Sequence, residues 1–258
     1  MKFHWLHGLI ALVVVPILLG FFGRFHWVLD IFSHFRVYYL LMLLLLAVIA
    51  LGLKKYRELA GLFIGIILLS LPVVKFYVPT EIEEHKKGIR IASINLQSSN
   101  EEYAAVLKYI DSGNFDVVVF QEFTPQWQDR FLEIEEDFEY QELYPAEGVF
   151  GFGIYSKIEI QGSKIAYISN QTILTVMMDL NYENQEVGLM AVHPPPPINE
   201  GMFSARNDVF ESIKSHAMYY PNQLLVIGDL NSSGFSPNFK LLTKSGRLKD
   251  SRKGFGLL

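Results

Sequence analysis

The chain of 258 residues contains no cysteine. A disulfide framework and a thiolate metal site are therefore excluded, and any metal ion must be held by oxygen or imidazole ligands. Charged residues are also missing from three long apolar stretches near the N-terminus, at residues 3–23, 37–53 and 59–74. About 20 apolar residues are needed to cross the hydrocarbon core of a bilayer, so each stretch approaches the length of a membrane span.

The apolar stretches predict a transmembrane region over residues 1–78, followed by a charged linker over residues 79–87. The three predicted membrane helices cover about residues 3–23, 37–53 and 59–78. Two alternatives stay open for this region. The first stretch has the length of a cleaved signal peptide, and all three have the composition of helices in a soluble core.

The distribution of basic residues favours one membrane orientation. Lys54, Lys55 and Arg57 lie between the second and third stretches, which indicates a cytoplasmic loop. Three spans that start inside place the remainder of the chain outside. We therefore expect a multi-pass integral membrane protein whose lipid partner is the bilayer and whose soluble part is extracytoplasmic.

Basic residues are scarce beyond the linker. Residues 88–258 contain 13 Lys and Arg against 22 Asp and Glu, a net charge of −9. An acidic module does not attract polyanions by bulk electrostatics, so we expect no strong bulk binding of nucleic acid. Six basic residues are concentrated near the C-terminus, where a solvated helix and loop is the simpler interpretation and a local anion-binding patch the alternative. They are Lys240, Lys244, Arg247, Lys249, Arg252 and Lys253.

Polar side chains follow three apolar runs of this second region. Asn95 follows the run 89–94, Glu122 follows 116–121, and Asp229 and Asn231 follow 224–228. Residues i and i+2 of an extended chain point to the same side, which would direct Asp229 and Asn231 together. A simple turn at Asp229–Asn231 and a solvated Glu122 are the alternatives. The recurrence of the pattern predicts one site built from several strand ends.

Strand-like and helix-like segments alternate from residue 88 onward, which predicts an α/β layered domain with some antiparallel hairpins. Strands are predicted at residues 89–94, 116–120, 151–156, 173–180, 186–192 and 224–227. Helices are predicted at residues 101–110, with Asn100 as the N-cap, and at 202–215 and 239–244.

Five short motifs in a fixed order resemble the endonuclease/exonuclease/phosphatase family of metal-dependent phosphoesterases. They are Asn95-Leu, Gln121-Glu122, the segment 151–157, His193 followed by four prolines, and Gly228-Asp229-Leu-Asn231. The His-Pro-x-Pro-Pro form behind apolar helices resembles the bacterial membrane-anchored branch of this family. The resemblance covers nearly all of residues 88–258, and it implies a location in the bacterial inner or plasma membrane.

The resemblance implies a four-layer α/β/β/α sandwich, incomplete at its C-terminus, that hydrolyses a phosphorylated substrate with Mg²⁺ or Mn²⁺. By position, Glu122 and Asn95 correspond to the metal-side residues, and Asp229 to the acid that orients or deprotonates water. Asn231 corresponds to an amide that holds a phosphate oxygen, and His193 to a histidine that contacts the phosphate. Hard cations with carboxylate and water ligands suit this chemistry.

Two candidate residues have simpler alternative interpretations. His193, which precedes four prolines, also suits a structural turn. Arg206 lies on the helix predicted at 202–215, where a surface salt bridge is the default expectation and a contact with substrate phosphate the alternative.

The sequence departs from the family pattern after Asp229 and Asn231. The family's closing segment, with its Asp-His pair, is not found before residue 258, and we expect an exposed sheet edge as a result. Neither His85 nor His216 follows a predicted strand, so neither replaces that histidine. Three functions stay open: an active phosphoesterase, a fragment or pseudoenzyme that only binds a phosphorylated ligand or a partner, and a membrane protein whose soluble part is merely structural.

Overall fold

The computed structural model describes residues 5–79, 88–170 and 172–257. The chain divides into two compact units, which we call the helical unit and the sheet unit. The helical unit consists of Met1–Glu83, Pro197–Ser204 and Ser232–Leu258. The sheet unit consists of Glu84–Pro196 and Ala205–Asn231.

Eight α-helices and eight β-strands lie within these described ranges. The helices are α1 Trp5–Gly20, α2 Trp27–His34, α3 Arg36–Gly52, α4 Tyr56–Val74, α5 Tyr103–Gly113, α6 Pro125–Phe131, α7 Glu200–Tyr219 and α8 Pro237–Ser245. The strands are β1 Ile91–Asn95, β2 Val117–Gln121, β3 Tyr140–Tyr144, β4 Phe152–Ser156, β5 Ile160–Ile168, β6 Ile173–Tyr182, β7 Gln185–Val192 and β8 Gln223–Ile227.

The apolar stretches near the N-terminus form helices α1, α3 and α4, as expected. By length and composition, α4 is the one described helix able to cross a membrane by itself. The pair α2 and α3 passes the same test only jointly and is bent by 62°, and α1 is a shorter apolar helix of 16 residues. The expectation of three full spans is therefore not supported. Residues 80–87 of the predicted linker lie outside the described part of the chain.

Helix α2 was not predicted, because its eight residues include a charge within an otherwise apolar pattern. That charge, Asp30, is fully buried. Its carboxylate accepts a hydrogen bond from Ser236 Oγ at 2.8 Å and lies 3.3 Å from His34 Nε2. The other ring nitrogen of His34, Nδ1, lies 2.9 Å from Ser233 Oγ. Short-range sequence patterns do not reveal contacts that join residues about 200 positions apart.

Two four-stranded sheets form the sheet unit. The first has the order β1-β2-β4-β3, with β1 and β2 parallel and the other pairs antiparallel. The second has the order β5-β6-β7-β8, with β7 and β8 parallel. Val119 and Ile154 of the first sheet share one hydrophobic cluster with Val176 and Leu189 of the second. The two sheets therefore face each other across a common core.

A helix covers the outer face of the first sheet, and the segment after α7 contacts the outer face of the second. Trp127 and Phe131 of α6 pack with Val118 and Phe120 in a cluster on the other face of the first sheet. Behind the second sheet, the ring of Tyr220, which follows α7, lies so close to β7 that a Cβ at Gly188 would meet it at 2.5 Å. The expectation of a mixed α/β sandwich is therefore confirmed, with two four-stranded sheets that share one core.

Several details differ from the sequence-based expectations. Strand β8 was predicted as a buried strand, but it lies at a sheet edge, where Leu225 is 36 % exposed. Among the described residues only β7 pairs with it. Helix α5 begins after Glu102 and not after Asn100, although Asn100 Oδ1 accepts a hydrogen bond from the Glu102 backbone N–H. Strands β3 and β5 were missed because the residues of β3 are only half-buried, those of β5 are mostly exposed, and neither strand carries an apolar run.

Candidate active site

The ends of β1 and β2 place Glu122 beside the loop that follows Asn95. These parallel strands pair Asn95 with Gln121, and the Leu96 backbone N–H donates to Gln121 O at 3.0 Å. Glu122 is the next residue, and its Oε2 accepts a hydrogen bond of 2.9 Å from the Ser98 backbone N–H. The carboxylate is thereby held against the loop 95–98.

The amide of Asn95 links this loop to the end of β8. Its Oδ1 accepts a hydrogen bond from the Gln97 backbone N–H at 2.9 Å, and its Nδ2 donates to Asp229 Oδ2 at 3.2 Å. The first bond requires an oxygen and the second requires a donor, so together they fix the orientation of the amide. Asn95, Glu122 and Asp229 therefore converge on one loop.

The segment after β8 does not have the extended geometry that the sequence suggested. Gly228 has φ +135° and Asn231 has φ +46°, and the Asn231 backbone N–H donates to Asp229 Oδ1 at 2.9 Å. This bond is typical of an Asx turn, so the turn interpretation of Asp229–Asn231 is correct and the common-side argument is wrong. The side chain of Asn231 instead donates from Nδ2 to Pro194 O at 2.9 Å.

His193 follows β7, the parallel neighbour of β8. Its ring is buried, with 5 % of the residue exposed, and Nδ1 lies 3.0 Å from Val149 O. A carbonyl oxygen only accepts, so Nδ1 carries a proton and Nε2 is the nitrogen left for a substrate. The bond between Asn231 and Pro194 ties the segment that contains His193 to the segment that contains Asp229.

Two site residues have left-handed backbone conformations. Glu122 has φ +59° and Asn231 has φ +46°. Such angles are uncommon for residues other than glycine, and they concentrate where a side chain must be aimed at a functional site. Here they turn the chain sharply at two strand ends.

Arg206 lies on α7 and is fully buried, so it is not at the surface position where a salt bridge was expected. Its guanidinium group donates to Asn207 Oδ1 and lies 5.3 Å from the centroid of the Phe210 ring. Contact between Arg206 and a substrate phosphate stays a prediction.

The donor set fits one hydrated Mg²⁺ better than a closed metal cage. Within residues 5–79, 88–170 and 172–257, no group of three His, Asp or Glu side chains gathers around one point. Mg²⁺ usually keeps several waters and takes only one or two carboxylates from the protein. The partly exposed carboxylate of Glu122 and the amide of Asn95 are ligands of this type.

The sequence did not indicate four backbone groups that belong to the site. The backbone N–H groups of Gln97 and Ser98 hold Asn95 and Glu122, and the carbonyl groups of Val149 and Pro194 hold His193 and Asn231. Backbone N–H and C=O groups occur at nearly every position, so residue type does not show which of them will hold a side chain of the site. The run Gln97-Ser-Ser-Asn100 after β1 was a usable signal, since such residues favour a turn that exposes N–H groups.

The sequence profile of the Endonuclease/Exonuclease/phosphatase family matches residues 92–257, which is more than half of the chain. A search of curated proteins gave no match. The matched region includes every site residue described above.

Solved structures of two proteins have a similar fold. Beta toxin from Staphylococcus aureus, in a β-hairpin deletion mutant, is similar with a TM-score of 0.52 and 16 % identity over 63 % of this chain and 74 % of that one. A humanized TDP2 from D. rerio is similar with a TM-score of 0.50 and 15 % identity over 63 % of this chain and 68 % of that one.

Two further structures of these proteins contain ligands. A beta toxin double mutant holds bound magnesium ions, and it aligns with a TM-score of 0.50 and 17 % identity over 64 % of this chain and 72 % of that one. A D. rerio TDP2 complex holds a single-strand DNA product, and it aligns with a TM-score of 0.50 and 15 % identity over 63 % and 66 % of the two chains. At these identities the likeness shows the fold alone.

The extent of the family match and the shared two-sheet architecture lead to the same assignment. This chain belongs to the endonuclease/exonuclease/phosphatase family.

Proposed function

We propose that the sheet unit hydrolyses a phosphodiester or phosphomonoester with the help of Mg²⁺ or Mn²⁺. The observation that carries this proposal is the hydrogen-bonded series that runs from Glu122 through the loop 95–98 to Asp229 and Asn231. It brings a carboxylate for a cation, a second carboxylate for a water molecule and neutral donors to one edge of the fold. The magnesium ions of the beta toxin structure support the choice of cation.

Each side chain then has a distinct role. Glu122, with Asn95, would hold the cation, which when bound supplies charge stabilisation to the phosphate oxygens. Asp229 would accept a proton from the attacking water. Both of its oxygens already accept hydrogen bonds, from Asn95 Nδ2 and from the Asn231 backbone N–H, and these bonds fix its orientation.

Asn231 and His193 would contact the phosphate group of the substrate. The amide of Asn231 carries two N–H groups, and one of them is directed to Pro194 O, so the second can donate to a phosphate oxygen. The proton of His193 lies on Nδ1, so Nε2 would donate to the phosphate or to the leaving oxygen only in the doubly protonated imidazole. The amide of Asn231 is a neutral donor, which would stabilise the charge that develops on these oxygens without adding negative charge to a site that contains two carboxylates.

Hydrolysis of bis-p-nitrophenyl phosphate by the full chain tests this proposal. We expect turnover that requires added Mg²⁺ or Mn²⁺ and that falls about 100-fold or more in Glu122→Gln and in Asp229→Asn. The matched controls are Glu102→Gln and Asp111→Asn, which change exposed carboxylates of the same unit. Equal turnover in the site variants and the controls would refute the proposal.

Binding of a phosphorylated ligand without turnover is the alternative function, and one observation favours it. Within the described part of the sheet unit, neither His193 nor His216 is bonded to a carboxylate, so no imidazole there is polarised by a paired acid. Saturable binding of the diester to Glu122→Gln and wild type alike, with no release of p-nitrophenol by either, would establish this second function.

We further propose that the helical unit anchors the protein in a bacterial inner or plasma membrane, with the sheet unit outside the cytoplasm. The support is the surface of the helices, where many large apolar side chains are exposed to an extent unusual for a soluble protein. They include Leu12, Val15, Leu18, Leu41, Leu45, Val48, Leu51, Ile64, Ile67, Leu68 and Leu71. Extraction of cell membranes with alkaline carbonate should leave the full chain in the pellet, and its release into the supernatant would refute the anchor.

A further inference from the structure

Four basic side chains lie at one end of the helical unit, and we call them the basic cluster. They are Arg36, Lys75, Lys240 and Arg252. Helices α3 and α4 are joined by residues 53–55 and pack in one core, so they form a hairpin. The first residue of α3, Arg36, and the residue that caps α4, Lys75, therefore lie at the same end of the hairpin.

An aromatic group fixes the C-terminal segment against this end. Phe76 and Phe235 pack edge to face with ring centroids 5.6 Å apart. The guanidinium carbon of Arg36 lies 5.4 Å from the Phe235 centroid. That of Arg252 lies 5.9 Å from Phe76 and 5.1 Å from the centroid of Phe239, which precedes Lys240. The basic cluster therefore surrounds aromatic rings from two parts of the chain, the residues after α4 and the C-terminal segment.

Acidic residues compensate only part of this positive charge. Arg252 forms two hydrogen bonds with the carboxylate of Asp250, at 2.9 and 3.0 Å. Asp30 directs its carboxylate to Ser236 and His34. Within the described residues, no carboxylate forms a salt bridge with Arg36, Lys75 or Lys240.

Burial and the neighbouring cations both affect the pKa of Lys240. Desolvation, together with the charges of Arg36 and Lys75, lowers the pKa of Lys240 to about 8. Like charges held together in this way destabilise the folded chain, and a bound anion would remove that cost. Arg36 is only 7 % exposed, so its charge is not dispersed into water.

The surroundings of the basic cluster distinguish a lipid from a small soluble anion. Leu71, Val74, Tyr77 and Val78 flank Lys75, and each is at least half exposed. Basic and aromatic residues that border an exposed apolar surface are typical of the membrane–water interface. A ligand with a phosphate and an acyl chain would match both the charge and the apolar surface.

We propose that Arg36, Lys75 and Lys240 bind the phosphate group of an anionic phospholipid at the water-facing end of the membrane helices. This site is separate from the candidate active site. It depends on the membrane anchor proposed above, but not on hydrolysis.

Lipid binding by the full chain in nanodiscs tests the proposal. The discs contain phosphatidylcholine alone or with phosphatidylglycerol, EDTA removes divalent cations, and bound lipid is counted by native mass spectrometry. We expect phosphatidylglycerol to be retained in preference to phosphatidylcholine. Loss of each Lys charge should weaken this retention roughly fivefold, so the double variant Lys75→Gln/Lys240→Gln should lose about 25-fold.

The matched control is Lys244→Gln, which removes the same charge one turn further along α8; both positions are exposed, but Lys244 lies outside the basic cluster. An equal loss in Lys244→Gln and Lys240→Gln would overturn the proposal, because general attraction to an anionic surface would then explain the binding. Inorganic phosphate that competes with phosphatidylglycerol at equal concentration would also overturn it, since the ligand would be a small anion. Incorporation of every variant into nanodiscs, measured first, separates loss of this site from loss of the membrane anchor.

Discussion

At the scale of single residues, the candidate site depends on how each polar side chain is oriented before any ligand arrives. Asn95 shows this most clearly, because its amide oxygen is held by Gln97 N–H and its amide nitrogen faces Asp229. Glu122 and Asp229 are likewise held by backbone N–H groups. Such preorganisation reduces the reorganisation that accompanies the reaction.

Replacement of Asn95 tests this orientation. We expect Asn95→Ala to lower kcat for the model diester about tenfold to 100-fold, because Asp229 loses a donor and the cation loses a ligand. Asn95→Asp should be worse, since it sets a second carboxylate about 3.2 Å from Asp229. Steady-state kinetics at fixed Mg²⁺ measures the effect, and an Asn95→Asp variant more active than Asn95→Ala would contradict this account.

Lys240 provides a prediction about stability and pH. Its pKa is lowered to about 8 in the folded chain from an ordinary 10.5. Between these values the unfolded chain binds more protons, so the stability of the folded chain rises with pH across this window. Relative to wild type, Lys240→Gln should therefore be more stable at pH 7, and the difference should shrink toward pH 10.

Thermal unfolding in detergent without anionic lipid measures this difference. Lys244→Gln is the matched control, and we expect no comparable dependence on pH for it. A difference between Lys240→Gln and wild type that is constant from pH 7 to pH 10 would show that the pKa of Lys240 is not lowered in the folded chain.

At the scale of secondary-structure elements, the site is formed by the carboxyl ends of strands in two sheets. Strands β1 and β2 are parallel, and so are β7 and β8. Parallel pairs bring their C-terminal loops to the same edge, which is why residues far apart in sequence meet there. The close approach of neighbouring segments at this edge depends on glycine.

Gly228 is the clearest example of this dependence. It has φ +135°, and a Cβ at this position would lie 1.9 Å from Val192 O. We expect Gly228→Ala to destabilise the chain by about 2 kcal/mol or more, because it adds both backbone strain and a steric overlap.

The matched control for this substitution is Gly162→Ala in β5. Its Cβ would meet only Asp179 Oδ2, at 4.0 Å, so the change should be close to neutral or slightly stabilising. The urea midpoint of unfolding, followed by circular dichroism, measures both variants. A Gly228→Ala midpoint equal to that of Gly162→Ala would show that this turn is not constrained.

The elements that the sequence predicted correctly share a strong apolar pattern. Strands β2, β4 and β7 are almost wholly buried, so their residues are nearly all apolar and easily recognised. Strand β5 has mostly exposed residues, and α2 carries buried Asp30, so neither shows the expected pattern. The sequence left both an extended segment and a turn open at Asp229–Asn231, because the positive φ of Asn231 depends on its hydrogen bonds and not on residue type alone.

At the scale of the whole molecule, the motif order identified the fold, while the docking of the C-terminal segment on the helices was not predictable. The motifs gave Asn95, Glu122, His193, Asp229 and Asn231, which the hydrogen bonds connect. Their catalytic and metal-binding roles stay predictions. The contacts of Ser233, Ser236 and Phe235 with α2 and Phe76 depend on tertiary packing, which residue patterns do not encode locally.

The central claim is that Glu122 and Asn95 hold one divalent cation at the edge that carries Asp229. Titration of the metal-stripped full chain with Mn²⁺, followed by electron paramagnetic resonance, tests it most directly, because this signal reports bound ions without any need for turnover. We predict one tightly bound ion per chain in wild type and in Glu102→Gln, and binding at least about tenfold weaker in Glu122→Gln. Unchanged Mn²⁺ affinity in Glu122→Gln would contradict the account.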